Sequence, residues 1–536
     1  MGLKNRPPGI SVSKSRGIAY LTKSLFVFLS VVLFFTLSSR GSAGDLDLTF
    51  GTKGTVRASV PGGGGFMSGA NGMALQDDGK IVLTGYEKFG AVYKFVTARF
   101  NADGSLDTSF GASGFAITQF GSGDNYGYAV AIQTDGKIIA AGYTFNANND
   151  IAIARYNTDG SLDGSFGTGG KVIVQIGNSN DQASDVKALP DGKILVCGTT
   201  NNIGMPQRIA VLRFQSNGVL DGVFGAGGVA TIAATANFNI AKKVEVQTDG
   251  KIVVAGHTSP DPIDFLIVRF TADGQVDTGF GTNGAVLTDM GGGDTLRALA
   301  IQPDGKIVVA GETNQSPFFN IAVARYSPAG VLDGSFNGSG KIITSVNSNS
   351  FNMAYAVAVQ PNGKIIVAGG TVLGNFDFAV LRFNADGSPD VTFDQDGQVT
   401  TDLGSREDIA FSMAMQPNGR FVTAGSSFIG SPTNRCLGIA RYKSFGDLGA
   451  IDGRVISPSG SGFGKVDVTL TGGDLTQPLH ALTNPFGYYQ FSALPTGVSY
   501  TVNITAKGAS FFPSSQSINL QDDLTAAVFV AQKTLF

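Results

Sequence analysis

From residue 45 onward, apolar positions fall in short runs separated by glycine, asparagine and aspartate, and the runs recur. Residues 284–326 show the pattern in full. Gly284-Ala-Val-Leu-Thr288 predicts one strand and Ala298-Leu-Ala-Ile-Gln302 a second. Between the second and third runs, Pro303-Asp-Gly305 supplies the Asp-Gly pair that a tight hairpin needs. Lys306-Ile-Val-Val-Ala310 predicts a third strand, closed by Gly311, and Asn320-Ile-Ala-Val-Ala-Arg-Tyr326 a fourth. The third is apolar on both faces and is expected to be the most buried. These four strands read as one unit.

The unit repeats seven times. Asp-Gly-Lys, or a close variant, begins at Asp78, Asp135, Asp191, Asp249, Asp304, Asn362 and Asn418, at intervals of 57, 56, 58, 55, 58 and 56 residues. Asp-x-x-Phe begins at Asp47, Asp107, Asp163, Asp221, Asp277, Asp333 and Asp390. An arginine followed by Phe or Tyr stands at Arg99, Arg155, Arg213, Arg269, Arg325, Arg382 and Arg441. Four strands per period near 57 match a propeller blade, and seven copies lie in the usual range of about four to eight blades. The expected fold is all-β: a seven-bladed β-propeller of four-stranded blades over residues 45–446, followed by a small antiparallel β-sandwich over 447–536.

The segments LDTSFGASGFAITQF, AVAIQTDGKIIAAGYT and IAIARYNTDGSLDGSFG resemble the bacterial delta-60 repeats. The resemblance covers about residues 45–446 and implies a propeller in exported bacterial proteins; it implies no activity. After Tyr442 the repeat breaks, and strands alternate with turns about every dozen residues. Gly453-Arg-Val455, Gly487-Tyr-Tyr-Gln-Phe491 and Leu494-Pro-Thr-Gly497 resemble the carboxypeptidase regulatory-like (transthyretin-like) family. That resemblance implies a non-catalytic accessory module.

Each arginine precedes the next aspartate by eight residues: Arg99 and Asp107, Arg155 and Asp163, Arg213 and Asp221, Arg269 and Asp277, Arg325 and Asp333, Arg382 and Asp390. Two readings fit so constant a length. Each guanidinium bonds the following carboxylate and ties blade to blade, or each aspartate caps its own turn. The series leaves Asp47 and Arg441 over, which predicts that they meet and close the ring.

Composition narrows the class. There are 75 glycines in 536 residues, about twice the usual share, without a Gly-X-Y period, while charged residues make up only 15%. Hydrophobic residues at 42% can fill a core, which argues against disorder. A net charge of −3 gives no basic footprint, so no nucleic-acid partner is expected. Residues 1–43 carry Lys4, Arg6, Lys14, Arg16 and Lys23, then a 13-residue apolar run from Leu25 to Leu37, then Gly41 and Ala43. This order reads as a signal peptide, so a secreted, cell-surface or periplasmic protein with no membrane span in the mature chain is expected. Cys197 and Cys436 fall on distant units and are expected to be free thiols.

Tests for chemistry yield little. Turns such as Asn101-Ala-Asp-Gly-Ser-Leu-Asp107 space oxygens as calcium loops do, but an arginine occupies the place where such a loop begins, and the Asx-turn reading is preferred. Ser68, Asn125, Asp181, Asn239, Asp294, Asn352 and Asp408 recur before each second strand; they either hold loop amides or form a polar mouth. His257, at the start of the loop between strands three and four of its unit, lies near Asp261 and Asp264 but lacks a nucleophile elbow. Acids and arginines unique to one unit (Glu87, Arg208, Glu245, Glu312, Arg406, Glu407 and Arg435) are scattered and receive no role. No catalytic residue, metal site or cofactor is assigned. The function expected is a non-enzymatic binding or interaction scaffold, with the sandwich as spacer. Its partner would be a glycan or surface protein, met by the variable loops between strands three and four. The alternative is a propeller-based polysaccharide hydrolase or lyase.

Overall fold

The computed structural model describes residues 43–536 apart from 66–68, 316, 405, 417–419, 430–433, 444–445, 473–474, 476, 497, 507–508, 521–523 and 533–536. The leader segment, Ser68 and the Asn418 phrase therefore lie outside the described residues.

Up to Tyr442, seven antiparallel four-stranded sheets follow one another as blades. The second is typical: Asn125–Ile132, Ile138–Phe145, Asn149–Tyr156 and Lys171–Val174 pair in that order. The phase of the blade differs from the sequence unit. Gly284–Thr288 was read as opening a unit, yet Ala285–Thr288 pairs with Phe265–Phe270 and finishes the preceding blade. The first strand of each sequence unit is thus the outermost strand of the blade before it. This shift closes the ring: Thr55–Ala58, near the described N-terminus, pairs with Arg435–Tyr442 as the outer strand of the last blade. The innermost strand of that blade, Ile409–Met415, in turn meets Gly72–Leu75 of the first.

Cores form between blades. Ile139 and Ile153 of the second blade pack with Val196, Leu212 and Phe214 of the third. Val96 and Ala98 of the first pack with Val422, Leu437 and Ile439 of the last. Each blade therefore buries its two faces against its neighbours, and the strand read as apolar on both faces is buried throughout, as in Ile194–Thr200.

The innermost strand is longer than its sequence pattern predicted. In the fifth blade it runs Gly293–Ile301, four residues of it ahead of Arg297, because a β-bulge between Leu296 and Ala298 inverts the alternation. The same bulge occurs in blades two to seven. It explains a repeated glycine. A Cβ on Gly256 would lie 1.8 Å from the carbonyl of Ile240, just before the bulge, and one on Gly425 would lie 1.8 Å from that of Ile409. Only glycine lets the third-strand backbone pass so close.

Beyond the ring, two four-stranded sheets form a sandwich around Val466, Val468, Tyr500, Val502 and Phe529. It is not wholly antiparallel: Gly446–Ile456 and Leu524–Gln532 pair in parallel. A parallel pair joins strands far apart in the chain, so no local turn signal in the sequence marks it. Both cysteines are free and buried.

Candidate binding site at the axial cavity

The two ends of the blades differ in chemistry. At one end the arginine phrase and the Asp-x-x-Phe phrase build a single motif seven times. Arginine Nε donates to aspartate Oδ2 in Arg99–Asp107, Arg155–Asp163, Arg213–Asp221, Arg269–Asp277, Arg325–Asp333, Arg382–Asp390 and Arg441–Asp47, at 2.5–2.8 Å. The phenylalanine of the same phrase lies under the guanidinium, as Phe110 does at 4.6 Å from Arg99. The other carboxylate oxygen holds its own turn: Asp107 Oδ1 accepts from the amide and hydroxyl of Ser109. Both readings of this spacing therefore describe real contacts.

The tie between blades has a different partner from the one expected. Arg99 and Asp107 belong to one sheet and its outer loop. A terminal nitrogen of Arg99 donates instead to the carbonyl of Thr158 in the next blade, and Arg155 does the same to Ser216. At the junction of first and last blades, Arg441 bonds Asp47 at 2.7 Å and donates to the carbonyl of Ala102. The lysine of the Asp-Gly-Lys phrase adds a second cation, with Lys364 Nζ 3.0 Å from Asp390; in the last copy Arg420 takes that place 3.1 Å from Asp47. Burial works against the Asp107 carboxylate, but the Ser109 hydrogen bonds and the Arg99 charge outweigh it and hold its pKa below the ordinary value. Every acid of this ring is held low in the same sense.

At the opposite end lie the residues that enter each innermost strand. Asn125, Asp181, Asn239, Asp294, Asn352 and Asp408 are fully buried and accept backbone amides, as Asn125 does from Phe120 and Asp408 from Leu403. They hold their loops and do not form an open mouth. Two of them join acids from the neighbouring blade, in the groups Asp264, Asp289, Asp294 and Asp377, Asp402, Asp408, whose carboxylate oxygens lie within 4.8 Å of one another. Burial first, then Asp402 and Asp408, push Asp377 up to about 6.

The bulges set the third feature. In blades two to seven the bulged residue is Tyr128, Ser184, Lys242, Arg297, Tyr355 and Phe411, and Asn71 is the matching position of the first blade. All seven line one cavity of about 280 Å³ on the axis of the ring. Their spacing repeats the intervals of the Asp-Gly-Lys phrase, yet no residue type dominates: they are one Asn, one Ser, one Lys, one Arg, one Phe and two Tyr. Arg297 donates to Glu312 through Nε and Nη2 at 2.5–2.8 Å and lies 4.6 Å over Tyr355, which meets Phe411 edge-on at 5.0 Å. Tyr128 stacks on Tyr143 at 5.7 Å. Burial lowers Lys242 to about 8, Arg297 adding to the fall and Glu312 opposing it.

The sequence reading missed this ring because it followed what the units share. The signal was present: one phase of the period, seven residues before each Asp-Gly-Lys phrase, where no residue type dominates. Among the scattered residues it named, Glu312 is drawn to the cavity through Arg297. Glu245 pairs with Lys187, and Arg435 stands 3.7 Å from Glu407 on the surface. His257 sits inside the strand Ile252–Ser259, not in a loop, and burial with nearby Lys242 lowers it to about 3.

Six segments, residues 76–110, 133–166, 189–224, 247–280, 302–336 and 360–393, match a family described as "Domain of unknown function (DUF5122) beta-propeller". The chain is a β-propeller repeat protein. Each matched segment starts at the hairpin before a third strand and ends at the phenylalanine under the arginine, so it lies within one structural blade and covers that blade's two middle strands. A search of curated proteins finds no match. Similar solved structures include virginiamycin B lyase from Staphylococcus aureus, 11% identical, covering 72% of this propeller chain and 98% of that one at a TM-score of 0.43. The polysaccharide lyase Uly1 is also 11% identical and covers 77% and 94% at 0.44. A Dyadobacter fermentans protein of unknown function is 12% identical and covers 73% and 99% at 0.40.

Proposed function

We propose that the protein is an exported, non-enzymatic binding scaffold whose propeller holds a glycan at the axial cavity, with the C-terminal sandwich as an accessory spacer. One observation carries this reading: one phase of the repeat, which varies among the copies, places all seven of its side chains in one cavity. A scaffold repeated for stability alone would not need a bulge that aims one side chain per blade at a common point. The described residues lining the cavity include Tyr128, Tyr355 and Phe411 for ring faces and Asn71, Gln182 and Ser184 for hydroxyls.

The second reading, a polysaccharide lyase or hydrolase, draws on Lys242, whose amine is shifted toward neutrality in a cavity that three tyrosines also line. The described lining residues offer cations and aromatic rings instead of the paired carboxylates that most glycosidases use. A glycan screen on the mature protein, with bond cleavage measured in the same wells, separates the two. Binding without turnover, lost in a Lys242→Met/Tyr355→Ala/Phe411→Ala variant that melts like the parent, is the expected outcome. Turnover would overturn the non-enzymatic reading, and binding retained in the variant would move the site away from the axis.

A further inference from the structure

We propose that the axial cavity selects an acidic sugar, a pyranose bearing a carboxylate, with Lys242 as the counter-charge for that group. The inference deepens the binding reading and rests on it.

Its basis is the set of charges around the cavity. Arg297 is committed to Glu312 through two nitrogens. Lys243 has Asp185 at 3.5 Å. In an adjoining cavity that shares Lys243, Tyr355 and Phe411 with the axial one, Lys187 has Glu245 at 2.5 Å. Lys242 alone of these cations makes no hydrogen bond or ion pair among the described residues, although it lines the cavity and is partly buried. The groups acting on it are Arg297, Glu312 and His257, with Lys243 next to it in the chain. Arg297 and Glu312 cancel, Lys243 and Asp185 cancel, and buried His257 is neutral above about pH 3. One positive charge is left without a counter-ion.

Holding an unpaired cation away from water is unfavourable. The strain is visible in the lowered proton affinity of the amine. A carboxylate delivered by a ligand removes it, and a neutral ligand does not. The surrounding groups specify the rest of the ligand. Tyr355 and Phe411 stand on one side and Tyr128 and Tyr143 on another, offering apolar ring surfaces for the C–H face of a sugar. Asn71, Gln182 and Ser184 offer amides and a hydroxyl to its hydroxyl groups. A volume of about 280 Å³ is at the small end of ligand sites, which suits a terminal sugar unit and not a threaded polymer.

Calorimetric titration of the mature protein with galacturonate, galactose and sodium sulfate at matched ionic strength tests this. Galacturonate is expected to bind about tenfold or more tightly than galactose, the usual scale for one hydrogen bond to a charged group. Near pH 8 its binding should take up a proton, read from the dependence of the heat on buffer ionisation, because a bound carboxylate raises the Lys242 pKa. Lys242→Met should lose both effects. Lys242→Arg should recover affinity without proton uptake, since arginine does not titrate. Thermal melts of both variants exclude a folding defect.

Equal binding of galactose would overturn the charge selection. Sulfate binding as tightly as galacturonate would reduce the site to an anion hole and overturn the sugar. Unchanged galacturonate binding in Lys242→Met would overturn the role of that amine. If neutral glycans bind while galacturonate does not, this inference fails and the scaffold reading stands; if no glycan binds, both fail.

Discussion

Two positions in each blade obey opposite rules. The Arg–Asp–Phe end repeats one solution seven times, with the same atoms at nearly the same distances, from Arg99–Asp107 to Arg441–Asp47. The axial bulge uses one backbone device in blade after blade and changes its side chain from each blade to the next. Repetition marks where the ring needs every blade to meet its neighbour alike. Variation at a fixed backbone position marks where the blades face something that is not a blade.

If the constant end carries the closure, Asp47 is its most sensitive point. It is 1% exposed and takes Arg441 and Arg420 at 2.7 and 3.1 Å. Asp47→Ala strips both cations of their carboxylate and is expected to cost about 3–5 kcal/mol in denaturant unfolding, as breaking buried ion pairs does. It should also uncouple Thr55–Ala58 from the last blade, seen as faster amide exchange in 52–58 and 437–442. A loss of less than about 1 kcal/mol would show that strand pairing alone closes the ring.

Gly256 links the two ends of the comparison, because it is a constant residue that makes a variable one possible. A methyl group 1.8 Å from the Ile240 carbonyl cannot be accommodated without moving the bulge that presents Lys242. Gly256→Ala is expected to cost about 1–3 kcal/mol, in the range of other overpacked sites, and to weaken ligand binding at the axis with it. Full stability and binding in this variant would show that the bulge does not depend on the glycine.

Much of the constant end was legible in the sequence. Asp-x-x-Phe and the arginine sit at fixed phase because three atoms groups, a carboxylate, a ring and a guanidinium, must converge, and convergence forbids drift in spacing. The direction of the blade-to-blade tie was not legible: its acceptors are carbonyls such as that of Thr158, which every residue type provides. The bulge ring escaped for a related reason. A bulge needs no particular side chain, so Tyr128, Ser184 and Lys242 share nothing but position. The acidic groups such as Asp377, Asp402 and Asp408 were hidden because they assemble across two blades.

One of those groups makes the next smaller prediction. Asp377 has its pKa raised to about 6 in the fold, above the ordinary 3.8, by burial and by its two acidic neighbours. A carboxyl shifted in this direction favours the fold below its unfolded pKa, and that contribution is lost as pH rises through about 6. Asp377→Asn is therefore expected to raise Tm at pH 7, by about 1–2 °C for a domain of this size, and by much less at about pH 4. An equal gain at both pH values would mean that the effect is packing and not charge.

The smallest expected effect tests the comparison most directly. Ser184 occupies the bulge of the third blade and lines the cavity without a hydrogen-bonded partner among the described residues. If variable positions are free of structural duty, Ser184→Ala should change stability by no more than about 0.5 kcal/mol, the range of ordinary surface changes. Asp163→Ala in the neighbouring blade removes a carboxylate bonded to Arg155 at 2.8 Å and to Ser165, and should cost several times more. The pair can be measured in one set of urea melts. A substantial loss at Ser184 would mean that the bulge side chains are selected for packing, and their diversity would then reflect seven slightly different gaps around the axis. No loss would leave ligand contact as the pressure acting on them, since a position that neither stabilises the blade nor repeats its neighbours has only the contents of the cavity to answer to.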